Sequence, residues 1–365
     1  MLGTSLEANP DCILVTGGAG FIGAAVIRHL LRDSDAVIVN LDKMTYAANR
    51  AAIAGFENHR RYHFVRACIT DQEALRNIFA SFEPGAIMHL AAESHVDRSI
   101  DDPLKFVSTN MTGTAVLLEA VRLYLASPAG RRKRNFRLHH VSTDEVFGSL
   151  EGEGRFNETT PYAPRSPYAA SKAGADHLVR AWRETYGLPV VLSNCCNNYG
   201  PWQFPEKLIP LMIIKALQGE RLPVYGRGQQ IRDWIHVDDH ARALHMILTR
   251  GELGESYNVG ADCERRNLDV VETICDLVDE MVPLESGKRR RELIAFVQDR
   301  PGHDLRYAID ASKIRAHFGW RPQETFGSGL AKTVQWYIGN AEWWRQIDNY
   351  RGDRIGLGAA EAVAS

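Results

Sequence analysis

The stretch TGGAGFIG at residues 16–23 constrains the fold more than any other part of the sequence. It follows the apolar run CILV and leads into AAVIRHLL, whose apolar residues recur at helical spacing. The spacing of Gly17, Gly20 and Gly23 lets a pyrophosphate approach backbone N–H groups at a helix N-terminus. A strand, a glycine turn and a helix in this order are typical of a dinucleotide-binding unit, although glycines alone also make ordinary tight turns.

Asp42 supports the dinucleotide interpretation. It ends a second apolar run, AVIVNLD, at about the twenty-residue distance where an acid accepts hydrogen bonds from both ribose hydroxyls. A carboxylate at that place repels a ribose 2′-phosphate. The sequence therefore predicts NAD rather than NADP, the alternative being an ordinary acid at the end of a strand.

Strand and helix patterns alternate through the first half of the chain. The further strand-like runs are Tyr62–Val65, Ala86–Leu90, Phe136–Val141 and Val190–Cys195. Helical patterns such as Asp71–Phe82 and Asp102–Leu125 separate them. This alternation predicts an α/β fold with a doubly wound parallel sheet, the Rossmann type, whose ligands bind beyond the carboxyl ends of the strands.

Composition and charge exclude several classes of protein. A net charge of -2 gives no general attraction to nucleic acid, and no apolar segment of eighteen residues predicts a membrane span. The N-terminus lacks the pattern of a leader peptide, so we expect a cytoplasmic protein. The basic runs at 131–134 and 288–291 are interpreted as solvated turns. Neither His95 nor His303 has a partner at metal-ligand spacing, and no metal site is predicted.

The octapeptide VSTDEVFG at residues 141–148 places two acids, Asp144 and Glu145, side by side at a predicted strand end. Buried carboxylates are costly unless they are paired or hydrogen-bonded, so the pair needs an explanation. Neighbours in a regular strand point to opposite faces, and both acids can face one cleft only if the chain turns there. The alternative is an acidic pair that caps a turn.

Tyr168 and Lys172 lie four residues apart in SPYAASKAGADHLVRAW, a predicted helix with Pro167 in its first turn. The lysine cation and an oxidised nicotinamide both favour the phenolate, and we expect them to lower the pKa of Tyr168. The phenolate could then take a proton from a sugar hydroxyl. A packed tyrosine beside a surface lysine is the alternative.

These residues resemble the extended short-chain dehydrogenase/reductases, and among them the dTDP-glucose 4,6-dehydratases. The resemblance covers nearly the whole chain, and its motifs here are TGGAGFIG, LDKMTYAAN, HLAAESHVDRSI, STDEVFG, SPYAASKAGADHLV, NNYGPWQFPEKLIP, RDWIHVDDHARAL, YNVG and DRPGHDLRYAID. The acidic pair after Ser-Thr is the most selective of them. The resemblance implies an NAD-dependent lyase of deoxysugar biosynthesis that dehydrates dTDP-glucose.

The resemblance also implies residue roles. Glu145 would be the base that removes the proton from carbon 5 of an oxidised hexose, and Asp144 the acid that protonates the departing 6-hydroxyl. Thr143 would hydrogen-bond the 4-hydroxyl, and Tyr168 and Lys172 complete the catalytic set. The predicted NAD contacts are Gly17, Gly20, Phe21, Ile22, Gly23, Asp42, Lys43, Thr45, Ile69, Leu90, Ala91, Tyr168 and Lys172. The predicted substrate contacts are Ser94, Thr143, Asn197, Lys207, Arg232, Asn267, Arg300 and His303.

A chain of 365 residues exceeds what one core usually organises, so a smaller α/β substrate-binding lobe is expected beside the large domain. With the resemblance, residues 1–198, 235–261 and about 309–333 are assigned to the NAD-binding domain. Residues 199–234, 262–308 and 334–365 are assigned to the nucleotide-sugar-binding lobe. The resemblance further implies a homodimer formed through long helices.

Two positions depart from the resemblance, and three other functions stay open. Phe147 stands where the family often has Tyr, and it lacks a hydroxyl without touching the implied chemistry. Cys68 stands where the family usually has an acid that contacts adenine, which puts tight NAD retention in doubt. A dehydratase for UDP-glucose is an alternative, as is a nucleotide-sugar 4-epimerase, which needs the tyrosine and lysine but no acid and base near carbon 5. A non-catalytic NAD-binding regulator is the third alternative, although such a protein would not need the tyrosine, the lysine and both acids together.

Overall fold

The computed structural model describes residues 9–285 and 287–347. The ends of the predicted domain ranges, 1–8 and 348–365, lie outside the described residues. The described strands are β1 (Cys12–Thr16), β2 (Val37–Asp42), β3 (Tyr62–Arg66), β4 (Ala86–His89), β5 (Arg137–Thr143), β6 (Val190–Cys195), β7 (Asn197–Tyr199), β8 (Leu222–Tyr225), β9 (Ile231–His236), β10 (Ser256–Val259), β11 (Glu264–Arg266) and β12 (Ile294–Val297).

The helices of the same ranges are α1 (Phe21–Asp33), α2 (Arg50–Ala54), α3 (Gln72–Phe82), α4 (Val96–Asp101), α5 (Pro103–Phe106), α6 (Gly113–Ala126), α7 (Pro128–Arg131), α8 (Pro167–Tyr186), α9 (Leu208–Gln218), α10 (Val237–Arg250), α11 (Asn267–Met281), α12 (Ser312–Phe318), α13 (Phe326–Gly339) and α14 (Ala341–Arg345). Short 3₁₀ helices cover Asp144–Phe147 and Arg290–Leu293. None of the described helices combines the length and apolar character that crossing a bilayer requires.

Seven strands form one parallel sheet in the order β3-β2-β1-β4-β5-β6-β10. The strand order reverses next to β1, which pairs with both β2 and β4. This arrangement confirms the predicted doubly wound sheet and puts a ligand crevice at the carboxyl ends of β1 and β4.

Helices cover both faces of the sheet because successive strand residues point to opposite sides. Along β1, Leu14 belongs to the core with α3, α6 and α8, whereas Ile13 and Val15 belong to the core with α1 and α10. Because strands such as β1 are buried on both faces, nearly all of their positions are apolar, which explains the continuous apolar runs in the sequence.

A second core lies outside this sheet, where α9, α11 and α13 pack together. A three-stranded sheet, β11-β9-β7, and a parallel pair, β12-β8, accompany it. The loops between these elements and the carboxyl ends of the large sheet form the walls of the site described below.

The segment 102–125, predicted as one helix, is irregular in its middle. A π-helical stretch, Val107–Thr112, lies between α5 and α6. Within it Asn110 donates a hydrogen bond to Ser171 Oγ (2.8 Å) and another to the carbonyl of Glu93 (3.0 Å). Such π segments occur often at functional sites, and this one ties α8 to the strand end after β4.

The two basic runs have different environments. Arg131, Arg132 and Arg134 are exposed, as predicted for a solvated turn. The prediction is wrong for Arg290, which is buried and donates to Asp279 Oδ1 (2.7 Å) and to the carbonyl of Ala216 (2.6 Å). A tertiary partner, which the sequence run did not reveal, explains the burial.

Arg290→Ala is expected to destabilise the protein strongly. The change leaves the buried Asp279 without its counter-charge, a loss of about 3–5 kcal/mol for a buried pair. The matched control is Arg291→Ala, which removes an exposed pair with Asp276 worth about 0–1 kcal/mol. Urea unfolding followed by tryptophan fluorescence measures both, and equal midpoints would contradict the assigned role of Arg290.

Candidate active site

The glycine turn between β1 and α1 has no room for side chains. Gly17 has a φ of +73°, and a Cβ there would lie 2.7 Å from the backbone of Ala91. A Cβ on Gly23 would lie 2.1 Å from the carbonyl oxygen of Gly17. Gly20 precedes α1 without a side-chain cap. The turn can therefore present backbone N–H groups to an anion.

Asp42 lies against this turn at the end of β2. Its Oδ2 accepts a hydrogen bond from the backbone N–H of Ala19 (3.0 Å), and its Oδ1 accepts one from Met44 (2.8 Å). Burial raises the pKa of the Asp42 carboxyl, and the two backbone hydrogen bonds oppose this rise. The carboxylate is thus held at the turn, with lone pairs left for ribose hydroxyls.

A cavity of about 290 Å³, the first cavity, extends from the glycine turn to the carboxyl end of β5. It is lined by all of the residues predicted to contact NAD: Gly17, Gly20, Phe21, Ile22, Gly23, Asp42, Lys43, Thr45, Ile69, Leu90, Ala91, Tyr168 and Lys172. Cys68 lies between the lining residues Ala67 and Ile69, and its sulfur accepts a hydrogen bond from Thr70 Oγ1 (3.0 Å).

Tyr168 and Lys172 lie in the first two turns of α8, which begins after an N-cap formed by Ser166. Lys172 Nζ donates to the carbonyl of Val141 (2.8 Å) on β5. Burial and the charge of Glu145 raise the pKa of Tyr168, and burial lowers the pKa of Lys172. The expected lowering of the tyrosine pKa is therefore not produced by the protein alone, since desolvation and the charge of Glu145 outweigh the hydrogen bond with Thr143.

The chain turns immediately after β5, and this turn explains how the adjacent residues Asp144 and Glu145 can face the same cavity. Residues 144–147 form a 3₁₀ helix, and Thr143 Oγ1 caps it by accepting from the N–H of Glu145 (3.3 Å). As a result Asp144 and Glu145 both line the first cavity, which two neighbours in a continued strand could not do.

The two acids have different electrostatic surroundings. Burial, Glu145 and Asp233 raise the pKa of Asp144 well above its ordinary value. Burial also raises the pKa of Glu145, but the cations of Arg300, Arg232 and Lys207 oppose the rise. Neighbouring charges thus bias Asp144 toward the protonated form and Glu145 toward the carboxylate.

A second cavity of about 540 Å³ adjoins the first. The residues that line both include Ser94, Glu145, Asn197 and Lys207. Four other predicted substrate contacts line only the second cavity: Arg232, Asn267, Arg300 and His303. Thr143 lines only the first cavity. Glu145 therefore lies at the junction of the two cavities.

Several polar groups of the second cavity are positioned by protein contacts and still have capacity for a ligand. Lys207 Nζ donates to the carbonyl of Ser94 (2.9 Å), and Arg232 Nη2 donates to the carbonyl of Asp304 (3.0 Å). Buried atoms with no hydrogen-bond partner in the described structure include Asn197 Oδ1, Asn267 Oδ1 and Arg300 Nε. Such atoms are costly unless a ligand or water satisfies them.

His303 and His95 both line the second cavity but have different partners. His303 Nδ1 pairs with Asp299 Oδ1 (2.6 Å) rather than with a backbone carbonyl, and it faces the second cavity. His95 caps α4 and lies 3.4 Å from the carbonyl oxygen of Glu206 through Nε2. Within the described ranges, no cluster of three or more His, Cys, Asp or Glu side chains is arranged to hold a metal ion.

Two acids that line the second cavity, Glu206 and Asp97, were not predicted from the sequence. Glu206, beside Lys207, accepts from Arg98 Nε (3.0 Å) and Tyr46 OH (3.1 Å) and so joins the loop after β2 to the second cavity. Asp97 accepts from Arg300 Nη1 (2.9 Å) and Tyr225 OH (3.0 Å). Both acids lie inside the quoted motifs, but only the fold shows which cations they meet.

Comparisons with known proteins agree with this geometry. A family model described as GDP-mannose 4,6 dehydratase matches residues 14–333. The chain is 57% identical to dTDP-glucose 4,6-dehydratase 1 of Escherichia coli K12 over 348 residues, 93% of this chain and 95% of that protein. It is 56% identical to a dTDP-glucose 4,6-dehydratase of Neisseria meningitidis over 351 residues, 95% of this chain and 99% of that protein.

Two solved structures are also similar. A crystal structure of DesIV, a dTDP-glucose 4,6-dehydratase of Streptomyces venezuelae with NAD and TYD bound, matches with a TM-score of 0.84 and 42% identity, covering 92% of this chain and 99% of that one. A UDP-glucose 4-epimerase of Thermus thermophilus in complex with NAD matches with a TM-score of 0.78 and 29% identity, covering 90% and 99%.

Proposed function

Because the chain belongs to the family described as GDP-mannose 4,6 dehydratase, we propose that it dehydrates dTDP-glucose to dTDP-4-keto-6-deoxyglucose with NAD as its cofactor. The observation that carries this proposal is the acidic pair that lines the first cavity, with Glu145 at its junction with the second. The charges around Asp144 favour its acid form, and the cations around Glu145 oppose the rise in pKa that burial causes; water elimination requires an acid and a base at adjacent carbons.

The first cavity fits NAD. The glycine turn would hold the pyrophosphate, and Asp42 would accept the ribose hydroxyls. Lys172 lies at the far end of the cavity beside Tyr168, where it would bind the second ribose. The chemistry that NAD supplies when bound is oxidation at carbon 4 of the hexose and later reduction at carbon 6.

Side chains of the first cavity, with Glu145 at the junction, would move the protons of the reaction. Tyr168 takes the proton of the 4-hydroxyl, with Thr143 hydrogen-bonded to the same oxygen. The 4-keto group acidifies the C5–H bond, whose proton Glu145 removes. Asp144 gives its proton to the 6-hydroxyl, which leaves as water. When carbon 6 is reduced, Glu145 returns its proton to carbon 5, and the proton taken from the 4-hydroxyl passes through solvent to restore Asp144. The net products are then the 4-keto-6-deoxy sugar and water.

The second cavity fits the nucleotide diphosphate. Arg232 and Arg300 can each bind phosphate oxygens through two donors, and Lys207 adds a third cation at the junction. The unpartnered oxygens of Asn197 and Asn267 can accept from sugar hydroxyls or from the base. UDP-glucose offers the same groups and is the second candidate substrate. The acidic pair disfavours a 4-epimerase, which has no use for it.

The two-lobe division, the homodimer and the cytoplasmic location are parts of the same proposal. The large sheet draws its strands from 12–195 and 256–259, whereas α13 spans the proposed boundary at 333 and packs in the second core. Leu104, Leu123 and Tyr186 are exposed on or beside the helices α5, α6 and α8, a surface that suits a second subunit. Sedimentation of the purified protein tests the homodimer, and cell fractionation tests the cytoplasmic location.

Turnover of dTDP-glucose by the purified protein is the expected result that tests this function. Mass spectrometry should show loss of one water per sugar, and the absorbance of reduced nicotinamide should not accumulate. UDP-glucose is assayed in parallel under the same conditions. An isomer of unchanged mass indicates an epimerase. Faster turnover of UDP-glucose indicates that the nucleotide base of the substrate is uracil rather than thymine. NAD binding without turnover of either sugar indicates a regulatory protein.

A further inference from the structure

Asp176 is a buried carboxylate for which the proposed reaction has no direct use. It follows Lys172 by four residues on α8, so the two side chains share one face of the helix. Its Oδ2 accepts hydrogen bonds from Ser142 Oγ (2.7 Å) and Tyr162 OH (2.9 Å), and its Oδ1 lies 2.9 Å from His140 Nε2. The residue is completely buried.

These hydrogen-bond partners do not neutralise the carboxylate. Ser142 and Tyr162 are neutral donors, and burial lowers the pKa of His140, so its ring donates as a neutral imidazole. Burial tends to raise the pKa of Asp176, but the hydrogen bond and close approach of His140, the charge of Lys172 and the hydrogen bond from Ser142 leave it lowered. An ionised acid in this interior needs a cation nearby.

Lys172 has the complementary problem. Its ammonium is buried, and it donates to the carbonyl of Val141 (2.8 Å), an acceptor without formal charge. Burial lowers the pKa of Lys172, and the charge of Asp176 opposes that fall. Each buried charge is thus the natural counter-charge of the other.

Lys172 and Asp176 also form hydrogen bonds with two consecutive residues of β5. Lys172 binds the carbonyl of Val141, and Asp176 binds the hydroxyl of Ser142. The next two residues are Thr143 and Asp144, where the strand ends and the 3₁₀ turn begins. The helix face of α8 therefore fixes the strand end that carries the reacting groups.

We propose that Asp176 is a positioning residue: its carboxylate keeps Lys172 protonated, and its bond to Ser142 fixes the end of β5. The importance of a charged Lys172 rests on the proposed function, because the ammonium matters through Tyr168. The charge of Lys172 itself can be measured without any substrate.

Titratable groups surround the pair on several elements. They are His89 on β4, His140 on β5, Cys195 on β6, Tyr162 before α8, and Tyr168 and Arg180 on α8. Burial lowers the pKa of both histidines and raises that of Cys195 to about 12, so these three stay neutral near pH 7. Arg180 donates to Tyr162 OH (3.2 Å) and Ser256 Oγ (3.2 Å). Apart from Tyr168, whose pKa burial raises, none of these groups supplies an anion in place of Asp176.

Asp176→Asn is expected to lower the pKa of Lys172 by roughly one to three units, the usual effect of an opposite charge at close range. NMR of the NAD-bound protein labelled with ¹³C at the lysine ε carbons measures it, with the Lys172 signal identified by its loss in Lys172→Arg. Tyr162→Phe is the matched control, since it removes a donor to the same carboxylate but keeps the charge. Its Lys172 signal should titrate as in the wild type.

Kinetics give a second readout. In Asp176→Asn the alkaline limb of kcat should move to lower pH, while KM for dTDP-glucose stays unchanged because Asp176 lines neither cavity. Asp176→Glu retains the charge and should restore the wild-type pKa of Lys172 even if the changed length alters packing.

A wild-type Lys172 that is neutral at pH 7 overturns the proposal, and that measurement needs only the Lys172→Arg variant that identifies the signal. An unchanged pKa of Lys172 in Asp176→Asn also overturns it. Failure of the wild type to dehydrate dTDP-glucose would instead refute the proposed function, and it would leave the NMR result on Asp176 intact.

Discussion

Glu145→Gln is expected to oxidise dTDP-glucose and then stop, so that reduced nicotinamide accumulates on the protein. Glutamine keeps the side-chain length but cannot accept the proton from carbon 5. Loss of a positioned base costs about 10²–10⁴-fold in rate. Single-turnover absorbance of the reduced nicotinamide, together with the mass of the sugar, measures the block.

Asp144→Asn is the matched control for this result. It should also stall before water loss, because no acid protonates the 6-hydroxyl, but Glu145 can still exchange the carbon 5 proton with D₂O. Deuterium should therefore enter the sugar in Asp144→Asn and not in Glu145→Gln. Water loss at the wild-type rate in Glu145→Gln, or deuterium uptake in that variant, would show that another group is the base.

Tyr168→Phe should lose activity at the earlier step, the oxidation itself. The phenol lines the first cavity and is the group assigned to the 4-hydroxyl proton, so no reduced nicotinamide should form with dTDP-glucose. The expected loss is again about 10²–10⁴-fold. Stopped-flow absorbance measures the rate, and NAD content is measured separately to show that the cofactor site is retained.

Tyr124→Phe is the corresponding control. Tyr124 is buried on α6 and donates to the carbonyl of Pro84 (3.1 Å), away from the residues of both cavities. It loses one hydroxyl as Tyr168→Phe does, and its turnover should match the wild type. If Tyr168→Phe forms reduced nicotinamide as fast as this control, the tyrosine is not the base for the 4-hydroxyl.

Sequence reasoning was strongest where the chemistry is carried by residues close together in the chain. The glycine turn needs three positions within one short segment, and Gly17 and Gly23 do occupy places where a Cβ would clash. The parallel sheet followed from alternating patterns, since each pattern reports burial on one or both faces.

Sequence reasoning was weaker wherever a property depends on distant segments. Arg290 was interpreted as solvated because its neighbours in sequence are basic, but its partner Asp279 lies on α11. The pKa of Tyr168 was expected to fall under the joint influence of Lys172 and an oxidised nicotinamide, whereas the protein interior by itself raises it. Burial comes from packing, which a local pattern does not report.

By itself, the sequence determined which groups are present and how they are spaced along each element: the glycines and Asp42 for a dinucleotide, the tyrosine and lysine on one helix face, and two acids at a strand end. Only the tertiary structure decided that the chain turns after Thr143, that Glu145 lies among three cations and Asp144 beside Asp233, and that Asp176 lies behind Lys172. The physical reason is that desolvation and Coulomb interactions depend on distance in space, and folding alone brings together charges far apart in the chain.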